Sequence, residues 1–142
     1  LNTYKSNLII VKYTYLLILF LLLVSILVII ISPYLFNFFV TDNSYSFSIK
    51  IVIYVSIGYF FDGLWKIFNS HLINLNLTKY YSIILVISAS CNLIMNYFFI
   101  KMYGIEGAAI STCISFIIGF ILSLAASLYH SPMPWLYFLK KQ

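Results

Sequence analysis

The sequence predicts an all-α integral membrane protein with four transmembrane helices, on three observations. The 142 residues are 63% hydrophobic and 8% charged, with a mean hydropathy of +1.05. A soluble domain carries about 25% charged residues, and a disordered segment is poor in apolar ones. Charged residues are absent from positions 13–41, 80–100 and 107–139, and about 20 residues of helix cross the bilayer core. The apolar runs are also uninterrupted. A closed barrel needs alternation over segments of roughly ten residues, so in lipid these runs select helices.

Each element follows from where the charges and prolines fall. The first span is expected at 13–32, ended by Pro33, with 34–40 at the interface. The second, 50–73, is apolar apart from Asp62 and Lys66. Left as a loop, it would put Ile51, Val52, Ile53, Tyr54, Val55 and Ile57 in water. The third is expected at 80–100 and the fourth at 107–128, limited by Pro132 and Pro134. Residues 42–48 form the most polar connection and the best candidate for a mobile loop.

Lysine placement orients these spans. Lys5, Lys12, Lys79, Lys140 and Lys141 fall on one side, and Lys50 and Lys101 on the other with Asp42 and Glu106. The excess places both ends in the cytoplasm, with 129–142 as a cytoplasmic tail. An even number of spans agrees. Tyr13, Tyr15, Tyr80, Tyr81, Tyr129 and Trp135 sit where an aromatic belt is expected. The first residue is Leu1, and the first apolar run is too long for a signal peptide and lacks a small-residue cleavage site. The chain reads as a piece of a longer protein.

Several function classes are disfavoured. The net charge of +5 comes from dispersed lysines without any arginine, which argues against nucleic-acid binding. Cys91 and Cys113 lie inside apolar runs and read as small buried thiols. No Cys or His has a second ligand at metal spacing. His71 and His130 fall near span ends without evident partners and read as interfacial polar tips. With no nucleophile–base pair, paired carboxylates or phosphate-cradling glycine loop, an enzyme and a bound cofactor are not expected.

The polar groups inside the spans carry what functional signal there is. Asp62 lies at the middle of its span, and Lys66 four residues later shares its face and can pair with it. Gly58 and Asn69 or Ser70 continue that face. An ionisable group at this depth costs about 2.5–3.5 kcal/mol on insertion scales. One reading is a lumen-lining pair that contacts a charged substrate or coupling ion. The other is a self-neutralised pair with Lys66 snorkelling to the headgroups. In the third span Ser88, Asn92 and Asn96 recur every four residues, either as interhelical glue or as contacts to sugar hydroxyls in a hydrated cavity. In the fourth, Gly107, Ser111, Ser115, Gly119, Ser123 and Ser127 share the same spacing. Small residues in such a row let a neighbouring helix approach closely, so Gly107, Ser111, Ser115 and Gly119 are expected to be helix-packing positions.

Residues 91–112, CNLIMNYFFIKMYGIEGAAIST, form a signature-like passage: Asn92 and Asn96 among apolar residues, a short Tyr103-Gly104 turn, then Gly107-Ala108-Ala109 and Ser111-Thr112. This resembles polysaccharide flippases, the O-antigen transporters (Wzx type) of the MATE-like multidrug/oligosaccharidyl-lipid/polysaccharide exporter superfamily. The Pro132-Met133-Pro134-Trp135 ending is similar to their C-terminal tails. The resemblance implies the last four of about twelve spans, within the C-terminal six-helix bundle. It also implies translocation of undecaprenyl-pyrophosphate-linked oligosaccharide units across a bacterial inner membrane by alternating access, with membrane lipids and a polysaccharide polymerase as further partners. On it, Lys66 helps hold the substrate, Asp62 tunes Lys66 or carries a proton, and Asn92 and Asn96 line the sugar path. The alternative is a multidrug or cation antiporter of the same superfamily, which sugar-nucleotide and glycosyltransferase gene neighbours would disfavour. A self-contained four-span exporter would be expected to carry a carboxylate in its first span. A polysaccharide polymerase would show a large charged loop.

Overall fold

The computed structural model describes residues 2–39 and 45–130, and all of its regular structure is helical. Four helices follow one another: α1 (Asn2–Phe39), α2 (Tyr45–Asn74), α3 (Thr78–Tyr103) and α4 (Ile105–His130). Each contains a stretch long and apolar enough to cross a membrane: Leu8–Leu35, Ile49–Asn74, Thr78–Tyr103 and Ile105–His130, with mean hydropathies of 3.2, 1.4, 2.0 and 2.2. At 1.5 Å per residue these stretches are about 40 Å long, against a hydrocarbon core of about 30 Å. The chain is a multi-pass membrane protein.

Two expectations about local structure are corrected. Pro33 does not stop the first helix, which runs on to Phe39. Proline lacks the N–H that would reach the Ile29 carbonyl. Ser32 supplies the replacement: its Oγ donates to Ile29 O at 3.0 Å. Residues 45–48, expected in the polar loop, form the first turn of α2. The rest of that loop, Asp42 included, lies outside the described residues, as do Pro132, Pro134, Trp135, Lys140 and Lys141.

The turns show why the chain reverses where it does. After α2, Asn76 adopts a left-handed φ of 58°. Its N–H donates to Ile73 O at 2.9 Å, and the Leu77 N–H reaches back to Leu72 O at 3.0 Å. That pair of bonds is a Schellman motif, and Leu77 also packs on the core around Leu72, the apolar contact such a motif favours. After α3 a single residue, Gly104, makes the turn at φ 60°, a conformation open to glycine without cost. The sequence expectation of a tight Tyr103-Gly104 turn holds.

The packing order differs from the chain order. α4 lies between α2 and α3, which touch each other far less, and among the described residues α1 packs only on α2. Paired contacts set the directions. Gly58 meets Cys113, Trp65 meets Gly119 and Asn69 bonds Ser123, so α2 and α4 run parallel. Ser88 bonds Ser115 and Asn92 bonds Thr112, so α3 and α4 run antiparallel. The core gathers Trp65, Leu72 and Ile84 with Phe116, Phe120 and Ala126 around them.

The small-residue row on α4 is buried throughout, from Gly107 to Ser127. Steps of four residues advance about 40° around a helix, so the row winds as it climbs. Ser111 and Ser115 meet α3, whereas Gly119 and Ser123 meet α2. One stripe thus serves two neighbours.

Candidate functional site

α2 carries the mid-span charges because its apolar face is taken up elsewhere. Trp65, Leu64, Phe68 and Leu72 are buried, and Trp65 and Phe68 stack near Phe116 and Phe120 of α4, with ring centroids 6.3 and 5.8 Å apart. The face one residue along holds Asp62 and Lys66. Lys66 Nζ donates to Asp62 Oδ2 at 2.5 Å. The two ends of this ion pair differ in surroundings: the Asp62 side chain is 10% exposed and that of Lys66 73%. The pair expected from four-residue spacing therefore forms, with its carboxylate in protein and its ammonium outside.

The ammonium borders a cleft of about 320 Å³ between α2 and α3. α2 contributes Asp62, Lys66, Asn69, Ser70 and Asn74, and α3 contributes Tyr81 and Leu85. The polar residues come from successive turns of one helix face, at the i+3 and i+4 steps that put side chains together. Asn69 is 5% exposed, and its Oδ1 accepts a 2.7 Å bond from Ser123 of α4. Trp65 also lines the cleft, and its Nε1 has no partner among the described residues.

Asn92 and Asn96 are not brought to this cleft. They form a network along the α3–α4 seam. Asn96 Nδ2 donates to Asn92 Oδ1 at 2.8 Å, and Asn92 Nδ2 lies 3.5 Å from Thr112 Oγ1. Ser111 Oγ donates to Asn96 Oδ1. Ser88, one turn before Asn92, is buried and donates to Ser115 O at 2.7 Å. Both asparagines are half-buried, and their amides are engaged with each other and with α4. Of the two sequence readings of this stripe, the observed bonds are those of interhelical glue.

The packing positions of α4 have specific counterparts. A Cβ on Gly107 would overlap Phe99 O, so the start of α4 crosses the end of α3 in backbone contact. A Cβ on Gly119 would stand 2.8 Å from the indole of Trp65. The histidine expectation is partly corrected. His130 has partners, since its Nδ1 lies 2.9 Å from Ala126 O and its ring 4.4 Å from that of Tyr80. Among the described residues no three His, Cys, Asp or Glu side chains gather as a metal site would require.

Sequence reasoning placed Asp62, Lys66 and Asn69 or Ser70 on the face that lines the cleft, and did not point to Trp65, Asn74, Tyr81 or Leu85 there. Asn74 was findable, as it continues the same face four residues past Ser70. Tyr81 read as a belt aromatic. Its place in the cleft depends on how the α2–α3 hairpin closes, which periodicity within either helix does not encode.

Comparison with known proteins finds no matching protein family, no matching curated protein and no matching solved structure.

Proposed function

We propose that the chain is the C-terminal portion of a flippase. In this reading it translocates undecaprenyl-pyrophosphate-linked polysaccharide repeat units across the bacterial inner membrane, with both ends of the chain in the cytoplasm. The observation that carries the reading is the exposed Lys66 ammonium at mid-span, on the wall of a polar cleft. Lipid tails do not accommodate such a group, and intramembrane charges that avoid lipid line substrate or ion paths. The resemblance of residues 91–112 to flippases supplies the class of cargo. In alternating access, further helices face this surface across a central cavity. Asp62 and Lys66 are the proposed transport residues, and the glycan lipid is the partner.

The test is the amount of surface polysaccharide made by cells whose complete transporter carries Asp62→Asn or Lys66→Ala, at equal protein level. Loss of polysaccharide in either supports the reading. Wild-type output from both refutes it. Normal polysaccharide together with lost resistance to cationic drugs would instead favour the antiporter reading, for which the mid-span carboxylate is the motivating feature.

A further inference from the structure

The cleft has a donor and acceptor inventory that discriminates between parts of such a cargo. Asp62 supplies acceptor oxygens and Lys66 three N–H donors, one of them directed at Asp62. Asn69 adds an amide whose direction is set from behind. Ser123 Oγ donates to its Oδ1 at 2.7 Å in a buried contact. That bond orients the amide of a side chain that is 5% exposed and lines the cleft. Ser70 and Tyr81 add hydroxyls.

Charge decides what fits. Asp62 already neutralises Lys66 at 2.5 Å, so the pair has no net charge to offer a pyrophosphate, and a dianion would meet the Asp62 carboxylate. A neutral group that both donates and accepts suffers no such repulsion. Neighbouring hydroxyls on a sugar ring are such a group, because each donates once and accepts twice. Fixed donors and acceptors beside aromatic side chains, here Trp65 and Tyr81, suit a ring with polar edges and apolar faces. The volume of about 320 Å³ is at the small end of ligand pockets and gives room for a sugar ring.

Resting on the transport reading above, we infer that Asn69, oriented by Ser123, completes with Asp62 and Lys66 a charge-neutral site for adjacent hydroxyls of a sugar residue. Asn69 is the ligand contact, and Ser123 is a positioning residue that acts through it. The pyrophosphate is held elsewhere in the complete protein.

The experiment reads protection of Lys66. The complete protein in lipid nanodiscs is treated with a water-soluble amine-acylating reagent, and modification at Lys66 is followed by peptide mass spectrometry. The probes are free glucose, galactose and N-acetylglucosamine at high concentration, tetrahydropyran-2-methanol as a ring lacking neighbouring hydroxyls, and inorganic pyrophosphate. Expected is a several-fold slowing by at least one sugar, and none by pyrophosphate or the deoxygenated ring. Asn69→Ala should abolish that protection while leaving the sugar-free reactivity of Lys66 unchanged. Ser123→Ala should weaken it and Ser123→Thr restore it, a pattern that a general loss of packing would not give. If Asn69→Ala alters sugar-free reactivity, the two Ser123 variants carry the test. Sugar protection that survives in Asn69→Ala, or in Ser123→Ala where that pair decides, overturns the inference. Protection by pyrophosphate alone overturns it too, yet leaves the transport reading standing. Protection by no probe also overturns the inference, while polysaccharide export still judges transport separately.

Discussion

Asp62 and Lys66, joined at 2.5 Å across one turn of α2, occupy opposite surroundings: the carboxylate is 10% exposed and the amine 73%. The arrangement makes the two deletions unequal. Lys66→Ala strands a carboxylate inside the bundle, whereas Asp62→Ala leaves an amine that already reaches outward. Breaking a fully buried pair costs about 3–5 kcal/mol, and the openness of Lys66 brings this case down to about 1–3 kcal/mol. Lys66→Ala is expected to lower the yield of monodisperse protein in mild detergent more than Asp62→Ala. The double variant should recover most of the loss. Equal losses in all three would contradict the assigned surroundings.

Gly107 abuts the Phe99 carbonyl, with no room for a methyl group. The obstructing atom is backbone, so relief requires α3 and α4 to separate at their shared turn. Gly107→Ala is therefore expected to destabilise by about 1–3 kcal/mol, the usual range for overpacking. Thermal unfolding in detergent measures it. Gly104→Ala is strained for a different reason, its φ of 60°, although nothing lies within 4 Å of its would-be Cβ. The two variants should thus both lose stability, and trimming of neighbouring side chains should rescue neither.

At Asn76 the left-handed backbone is what matters. Asn76→Gly should be neutral or slightly stabilising, because glycine is the usual residue at this position of the motif. Asn76→Val should cost about 1–2 kcal/mol, the penalty an L-residue with a branched Cβ meets there. Melting temperatures of the two proteins, taken side by side, decide it. A valine variant as stable as the glycine one would show that this turn is not held as described.

Gly119 and Trp65 should behave as a coupled pair. Gly119→Ala pushes a methyl group into the indole, and Trp65→Phe makes room. In a double-mutant cycle the second change should offset part of the first, with a coupling of about 0.5–3 kcal/mol. Strict additivity would mean that the two do not touch.

Much of this arrangement was legible in the sequence. The charge-free runs gave the helical membrane class, four-residue spacing gave the Asp62–Lys66 pair, and the small-residue row on α4 marked a buried face. What escaped was set by neighbours rather than by period. The row faces α3 at Ser115 and α2 at Gly119 because the helix rotates beneath it, and the sequence does not say which partner waits on either side. Pro33 is kept inside α1 by a hydroxyl from the preceding residue, a compensation that a proline rule applied alone overlooks. The amides of Asn92 and Asn96 are satisfied by Thr112 and Ser111, on a helix that only the folded chain brings alongside.

The wedge-like placement of α4 has one more consequence. α2 and α3 are sequence neighbours held apart by a helix that follows both, and the spacer touches them through glycine and serine. The aperture between the two walls is therefore set from the rear, by residues that no cargo meets. A methyl group added to that hidden spacer at Gly119, against Trp65, would widen the opening while every wall residue stayed the same, so that cargo size could be retuned without rewriting the chemistry of recognition.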